Sequence, residues 1–159
     1  MLLALVLAFQ AVVVTPADPP PANRDLVLSG LGRFAVFADR DSMEREDQTV
    51  TLRALQVAET GFEAGGRAYV GGWSAWRFDC ARRMGDRLDF SSLAEDGTEG
   101  PVTPEAAPAR PVGEDGEMAA LFEIACGAPA ADAVTAASVD EAIALGRARL
   151  AERAENTPH

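Results

Sequence analysis

Apolar and polar positions along the chain follow two periods. In Thr49-Val50-Thr51-Leu52-Arg53-Ala54, apolar Val50, Leu52 and Ala54 alternate with Thr51 and Arg53, the period of a half-buried strand. Leu55 and Val57 shift that phase, so the strand either bulges there or continues with both faces covered. In the run Tyr69–Cys80, Trp76, Phe78 and Cys80 share one face and Ala75, Arg77 and Asp79 the other, which predicts a strand that aims Cys80 into the core. Arg33–Ala38 reads as a short strand closed by a polar turn at Asp39–Ser42. Leu88 and Phe90 alternate with Asp89 and Ser91 and predict a hairpin about Gly85-Asp86. The glycines at 61, 65, 66, 71 and 72 belong to turns or a bulge.

The period then changes. Met118, Leu121, Phe122, Ala125 and Cys126 recur at the spacing of one helical stripe, with Asp115 as N-cap and Gly127 as stop. Before it, Pro101, Pro104, Pro108 and Pro111 lack ladder donors and predict an extended surface loop. Beyond Ala128 an alanine-rich linker leads to Ser138-Val139-Asp140-Glu141, a capping box that opens a helix to about Ala154. Its stripe of Val139, Ile143, Gly146 and Leu150 is thin, so the helix is expected at the periphery.

Composition narrows the picture. The chain has 159 residues, a single domain's worth, and much of its 48% hydrophobic content is alanine with only 6% aromatics, so the core is small. Fourteen basic residues, all arginine, face 25 acidic ones for a net charge of −11, which argues against nucleic acid as a partner.

Met1–Val14 is apolar except for Gln10, too short for a comfortable bilayer crossing, and is followed by Ala17-Asp18 and the cluster Pro19, Pro20, Pro21. This reads as a secretory signal peptide cleaved near Ala17, although no basic residue precedes the apolar run. The membrane enters the expectation only through that segment left uncleaved. The two cysteines, Cys80 and Cys126, would close a loop of roughly 45 residues. In an exported chain such a pair reads as a structural disulfide; two buried free thiols in a reducing compartment remain the alternative. Neither CxxC spacing nor a neighbouring histidine supports a metal or redox role.

Catalytic chemistry finds few candidates. The only histidine is the last residue, His159, which leaves Ser-His-Asp and Cys-His arrangements without a base. Asp39-Arg40-Asp41-Ser42-Met43-Glu44 matches a calcium loop only in its first two acids and reads as a solvated turn. No glycine-rich phosphate loop is present, and there is no lysine to serve one. Glu95, Asp96, Glu99, Glu114, Asp115 and Glu117 read as solubilising loop charges; an acid-pair hydrolase would need two carboxylates facing one cleft. The binding candidates are Arg77, Arg82, Arg83 and Arg87 around one hairpin, with Trp73 beside them. The competing reading pairs those arginines with interleaved Asp79, Asp86 and Asp89 and buries Trp73.

The segment Trp73-Ser74-Ala75-Trp76-Arg77-Phe78-Asp79-Cys80-Ala81-Arg82-Arg83, with the downstream helix ending at Cys126-Gly127, resembles the bacterial surface-adhesin protein E family. The likeness covers about residues 25 to 127 and implies an antiparallel sheet with a helix tied to its concave face by a disulfide, and adhesion to host proteins. The chain departs from the family at Pro111–Gly116, where a Pro-x-Ser-like start to the helix is replaced, and in its tail after Ala128.

The expected fold is thus α+β: a small antiparallel sheet with a helix packed on one face and held by the Cys80–Cys126 disulfide, plus a peripheral C-terminal helix. The expected divisions are 1–17 signal peptide, 18–24 proline-rich lead, 25–127 adhesin-like domain, and 128–159 linker and helix. The expected function is non-catalytic binding of a protein or envelope macromolecule in the periplasm or at the cell surface, with no cofactor and no metal. A periplasmic small-ligand or enzyme-inhibitor module is the alternative.

Overall fold

The computed structural model describes residues 23–128 and 132–156. The signal peptide expected at 1–17, most of the proline-rich lead and His159 lie outside them. Among the described residues nine strands form one antiparallel sheet with two helices. The strands are β1 (Leu26–Leu31), β2 (Ala35–Glu46), β3 (Thr49–Val57), β4 (Glu63–Ala64), β5 (Arg67–Asp79), β6 (Met84–Ala94), β7 (Thr103–Pro104), β8 (Arg110–Pro111) and β9 (Thr135–Ala136). The helices are α1 (Gly116–Cys126) and α2 (Val139–Asn156). The sheet order is β7-β6-β5-β3-β2-β1-β9, with β4 paired to β5 and β8 to β6.

The phase shift in β3 is resolved by burial of both faces. Its register against β5 runs unbroken from Thr49↔Asp79 to Val57↔Gly71, so no bulge is needed. Val50, Leu52 and Ala54 join Trp76 and Phe78 in a core under α1, where Leu121, Phe122 and Ala125 meet them. Leu55 and Val57 join Ala35, Phe37 and Trp73 in a second core under α2. Alternation along β2, with Val36 and Ala38 on one side and Ala35 and Phe37 on the other, feeds both. Within the first core the Trp76 and Phe78 rings stack 6.0 Å apart, and the Phe122 ring meets Phe78 edge-on at 5.8 Å.

The α1 end is fastened covalently. Cys80, in the β5–β6 turn, is bonded to Cys126 with Cα atoms 5.5 Å apart. Closing a 46-residue separation restricts the unfolded chain by about 4 kcal/mol in the loop-entropy model. Arg45 donates to the Ala125 carbonyl at 2.8 Å, placing a cation on orphan acceptors of the helix C-terminus.

Helix α2 is thinly buried, through Ala142 and Gly146, yet it covers the face opposite α1. Gly146 permits this: a Cβ there would lie 3.1 Å from the side chains of Ala35, Phe37 and Val57. Its start uses the Ser138 hydroxyl, which accepts from the Glu141 N–H at 3.1 Å, while the Glu141 carboxylate accepts from the Ala137 N–H at 2.8 Å.

Four local expectations are revised. The Asp39–Ser42 segment is no turn; β2 runs through it with an irregular register between Asp39 and Glu44, where the Ser42 hydroxyl donates to the Asp39 carbonyl and accepts from the Arg53 N–H. The β5–β6 turn falls at residues 80–83, where the Asp79 carboxylate accepts from the Arg82 N–H at 2.9 Å; Gly85 lies in β6 opposite Phe78, and glycine is required there because a Cβ would come within 2.8 Å of the Phe78 ring. Asp115 holds the N-cap position of α1 without a side-chain cap bond. The proline-rich loop is laced along the outer edge of β6, through Gly100 to Ser92, Glu105 to Leu88 and Val112 to Arg83 backbone bonds, which shields an edge strand.

Candidate functional site

Because α2 lies over β1, β2 and β3, the part of that same face built by β5 and β6 near the 80–83 turn has no helix above it among the described residues. A cleft of about 700 Å³ opens there. Arg77 and Asp79 reach it from β5, Arg82 from the turn, Asp86 from β6, Glu46 from the end of β2 and Asp47 from the turn that follows.

Register explains the pairing at its floor. Arg77 stands opposite Asp86, and its guanidinium donates twice to that carboxylate, at 2.9 and 3.3 Å. The Asp86 side chain is 6% exposed and that of Arg77 52%, so the carboxylate anchors the cation while leaving donors toward solvent. Arg82 is 82% exposed and lies 3.8 Å from Asp79. Glu46 and Asp47 have no partner among the described residues. Two arginines against four carboxylates give the lining 2 − 4 = −2, so the arginine hairpin does not create a positive patch. Sequence reasoning did not single out Glu46 and Asp47, because the strand carrying them toward the cleft was expected to end eight residues earlier.

The other candidates part from this pair. Arg87 stands opposite Trp76, over the Phe90 ring on the α1 face, and is bound to Glu105. Arg83 lies 4.7 Å over the Phe122 ring and is paired with Glu123 at 3.3 Å. Trp73 is 2% exposed, with the guanidiniums of Arg24 and Arg53 at 5.2 and 4.9 Å from its ring, so it offers solvent no aromatic surface. Arg77 and Arg82 pair with Asp86 and Asp79 of the hairpin, as the competing reading expected, whereas Arg83 and Arg87 find Glu123 and Glu105 outside it, and Asp89 accepts instead from the Ala75 N–H.

Several acids expected to be merely solvating are engaged. Glu117 accepts from the buried Gln56 amide, and Glu95 binds Arg147. The Asp96 carboxyl is held below the usual aspartate range, chiefly because the Thr98 N–H donates to it at 2.9 Å and the Thr98 hydroxyl adds a second bond.

The sheet is clamped to a helix by one disulfide and leaves an open polar half-face. The sequence pattern of the surface-adhesin protein E family matches residues 27–127, and the chain belongs to that family. Membership places it among surface adhesins, proteins that act at the cell surface by binding macromolecules. No curated protein and no solved structure matches the chain.

Proposed function

We propose that the protein is an exported adhesin that holds a basic segment of a partner macromolecule on the open β5–β6 half-face. The observation that carries this reading is the cleft itself: Arg77 is fixed on buried Asp86, and the unpaired carboxylates of Glu46 and Asp47 face the same space. Fixed donors beside uncompensated carboxylates suit a partner that brings lysine or arginine together with acceptors. The net charge of −11 attracts the same partner from a distance. Residues 25–127 form the adhesive unit in this reading, and 128–159 support it through α2, which lies on the same face of the sheet beside the cleft. The first seventeen residues act as a leader removed near Ala17, and the periplasm is the compartment in which the disulfide forms.

Adherence of protein-coated beads to cultured epithelial cells tests the cleft. Glu46→Lys with Asp47→Asn, exposed residues at the end of β2 and in the turn after it, is expected to cut adherence several-fold with the melting temperature unchanged, since asparagine suits the φ of +52° at residue 47. Equal adherence of variant and parent would remove the cleft from the proposal. Intact mass from the host envelope fraction tests export: loss of about seventeen residues, with cysteine alkylation only after reduction, is the expected result.

A further inference from the structure

On the α1 face, at the end of the sheet away from the disulfide, lies an apolar groove of about 350 Å³. Four half-buried rings line it: Phe34 after β1, Phe62 before β4, Tyr69 of β5 and Phe90 of β6. Phe34 and Phe62 meet edge-on at 5.9 Å, and Phe90 lies flat against β5 because residue 72 is glycine, where a Cβ would be 2.4 Å from the ring. A volume of this size suits a compact apolar body.

The charges around the groove set it apart from the rest of the surface. Among the described residues, the arginines with neither a carboxylate nor a carbonyl partner are Arg33, Arg67 and Arg110. Two of these three rest against rings that line the groove. The Arg33 guanidinium stands 5.5 Å over Phe34 and 5.9 Å from Phe62, and that of Arg67 stands 5.6 Å over Tyr69. Resting on ring faces, neither donates to a carboxylate, although Arg67 lies near enough to Asp96 to help hold its carboxyl ionised, and their N–H donors can meet an anion. In a chain of net charge −11, two arginines without a bonded carboxylate beside an apolar groove, of which Arg67 alone shares the field of a nearby acid, Asp96, mark a place where an anion with an apolar body is held on both counts.

The geometry points to a binding site for a medium-chain alkyl carboxylate, its chain against Phe34, Phe62, Tyr69 and Phe90 and its carboxylate on Arg33 and Arg67. The site is independent of the adhesive cleft, which lies on the other face.

Calorimetric titration of the full chain with sodium decanoate, below its micelle-forming concentration, tests the assignment, with decyltrimethylammonium as a cation of equal chain length. One saturable site is expected, at least about tenfold tighter for decanoate than for the cation. Arg33→Ala with Arg67→Ala should erase that preference, and Phe62→Ala should weaken both probes by about tenfold. Arg33 and Arg67 are exposed and Phe62 is half-buried, and unchanged melting temperatures confirm that the variants are folded. Absence of saturable decanoate binding, equal affinity for the two probes, or a preference that survives loss of both arginines would each overturn the site.

Discussion

Trp76 shows how a single polar atom constrains the first core. Its indole N–H is buried and donates to the Ser74 hydroxyl at 2.9 Å, two residues away on the same face of β5. A buried indole N–H left without an acceptor retains its desolvation penalty, so Ser74→Ala is expected to cost about 1–3 kcal/mol. Removing the donor as well should relieve most of that cost, because an apolar pair leaves nothing unsatisfied. In a Trp76→Phe background, Ser74→Ala should therefore be nearly neutral, measured by urea unfolding with an unchanged denaturant slope. Equal costs in the two backgrounds would mean that Ser74 acts by packing alone. Gly71, by contrast, answers to backbone: at φ +154° a Cβ would sit 1.8 Å from the Gln56 carbonyl oxygen, a contact no relaxation of side chains can relieve.

Helix α2 depends on one glycine where α1 depends on a disulfide. Gly146→Leu would drive a side chain into Ala35, Phe37 and Val57, so the helix must lift from the sheet. The first core and the disulfide lie on the other face, and the expected result is rapid amide exchange confined to 139–156 with β3 and β5 still protected. Exchange that rises across the whole sheet would show instead that α2 and the sheet unfold as one unit. The same residue marks a limit of sequence reading. The stripes of α1 and α2 and the alternation of β3 and β5 were legible because burial imposes a period, and Gly146 falls within the α2 stripe, but the pattern does not mark it as the point of closest approach. β1 went unpredicted, its short apolar run broken by Ser29-Gly30, and β2 was cut short because Asp39–Ser42 has turn-like composition while its bonds keep the strand going. In the candidate site the arginines stood out by clustering. What strand alternation did to them required the register: Arg77 and Arg87 leave opposite faces, and Glu46 and Asp47 come into the cleft from a different hairpin.

For the whole molecule, the question is whether salt screens more repulsion or more attraction. Nine ion pairs link described residues, but most involve solvent-exposed groups and each contributes little. The two with buried carboxylates, Arg24–Asp39 and Arg77–Asp86, are shielded from counterions and lose least. Against them stands the mutual repulsion of a chain carrying 25 acidic residues to 14 basic ones, which acts over longer distances and is screened first. Repulsion should dominate, so raising sodium chloride from 0.01 to 0.15 M is expected to stabilise the fold by about 1 kcal/mol, or about 3 °C in melting temperature. Adherence to a basic partner should move the other way and weaken over the same range, because there screening removes attraction. Opposite salt responses of stability and adherence would identify the acidic surface as a recognition device that the fold tolerates at some cost. A melting temperature that falls with salt would show that the ion pairs govern the fold, and adherence indifferent to salt would remove charge from the account of the partner.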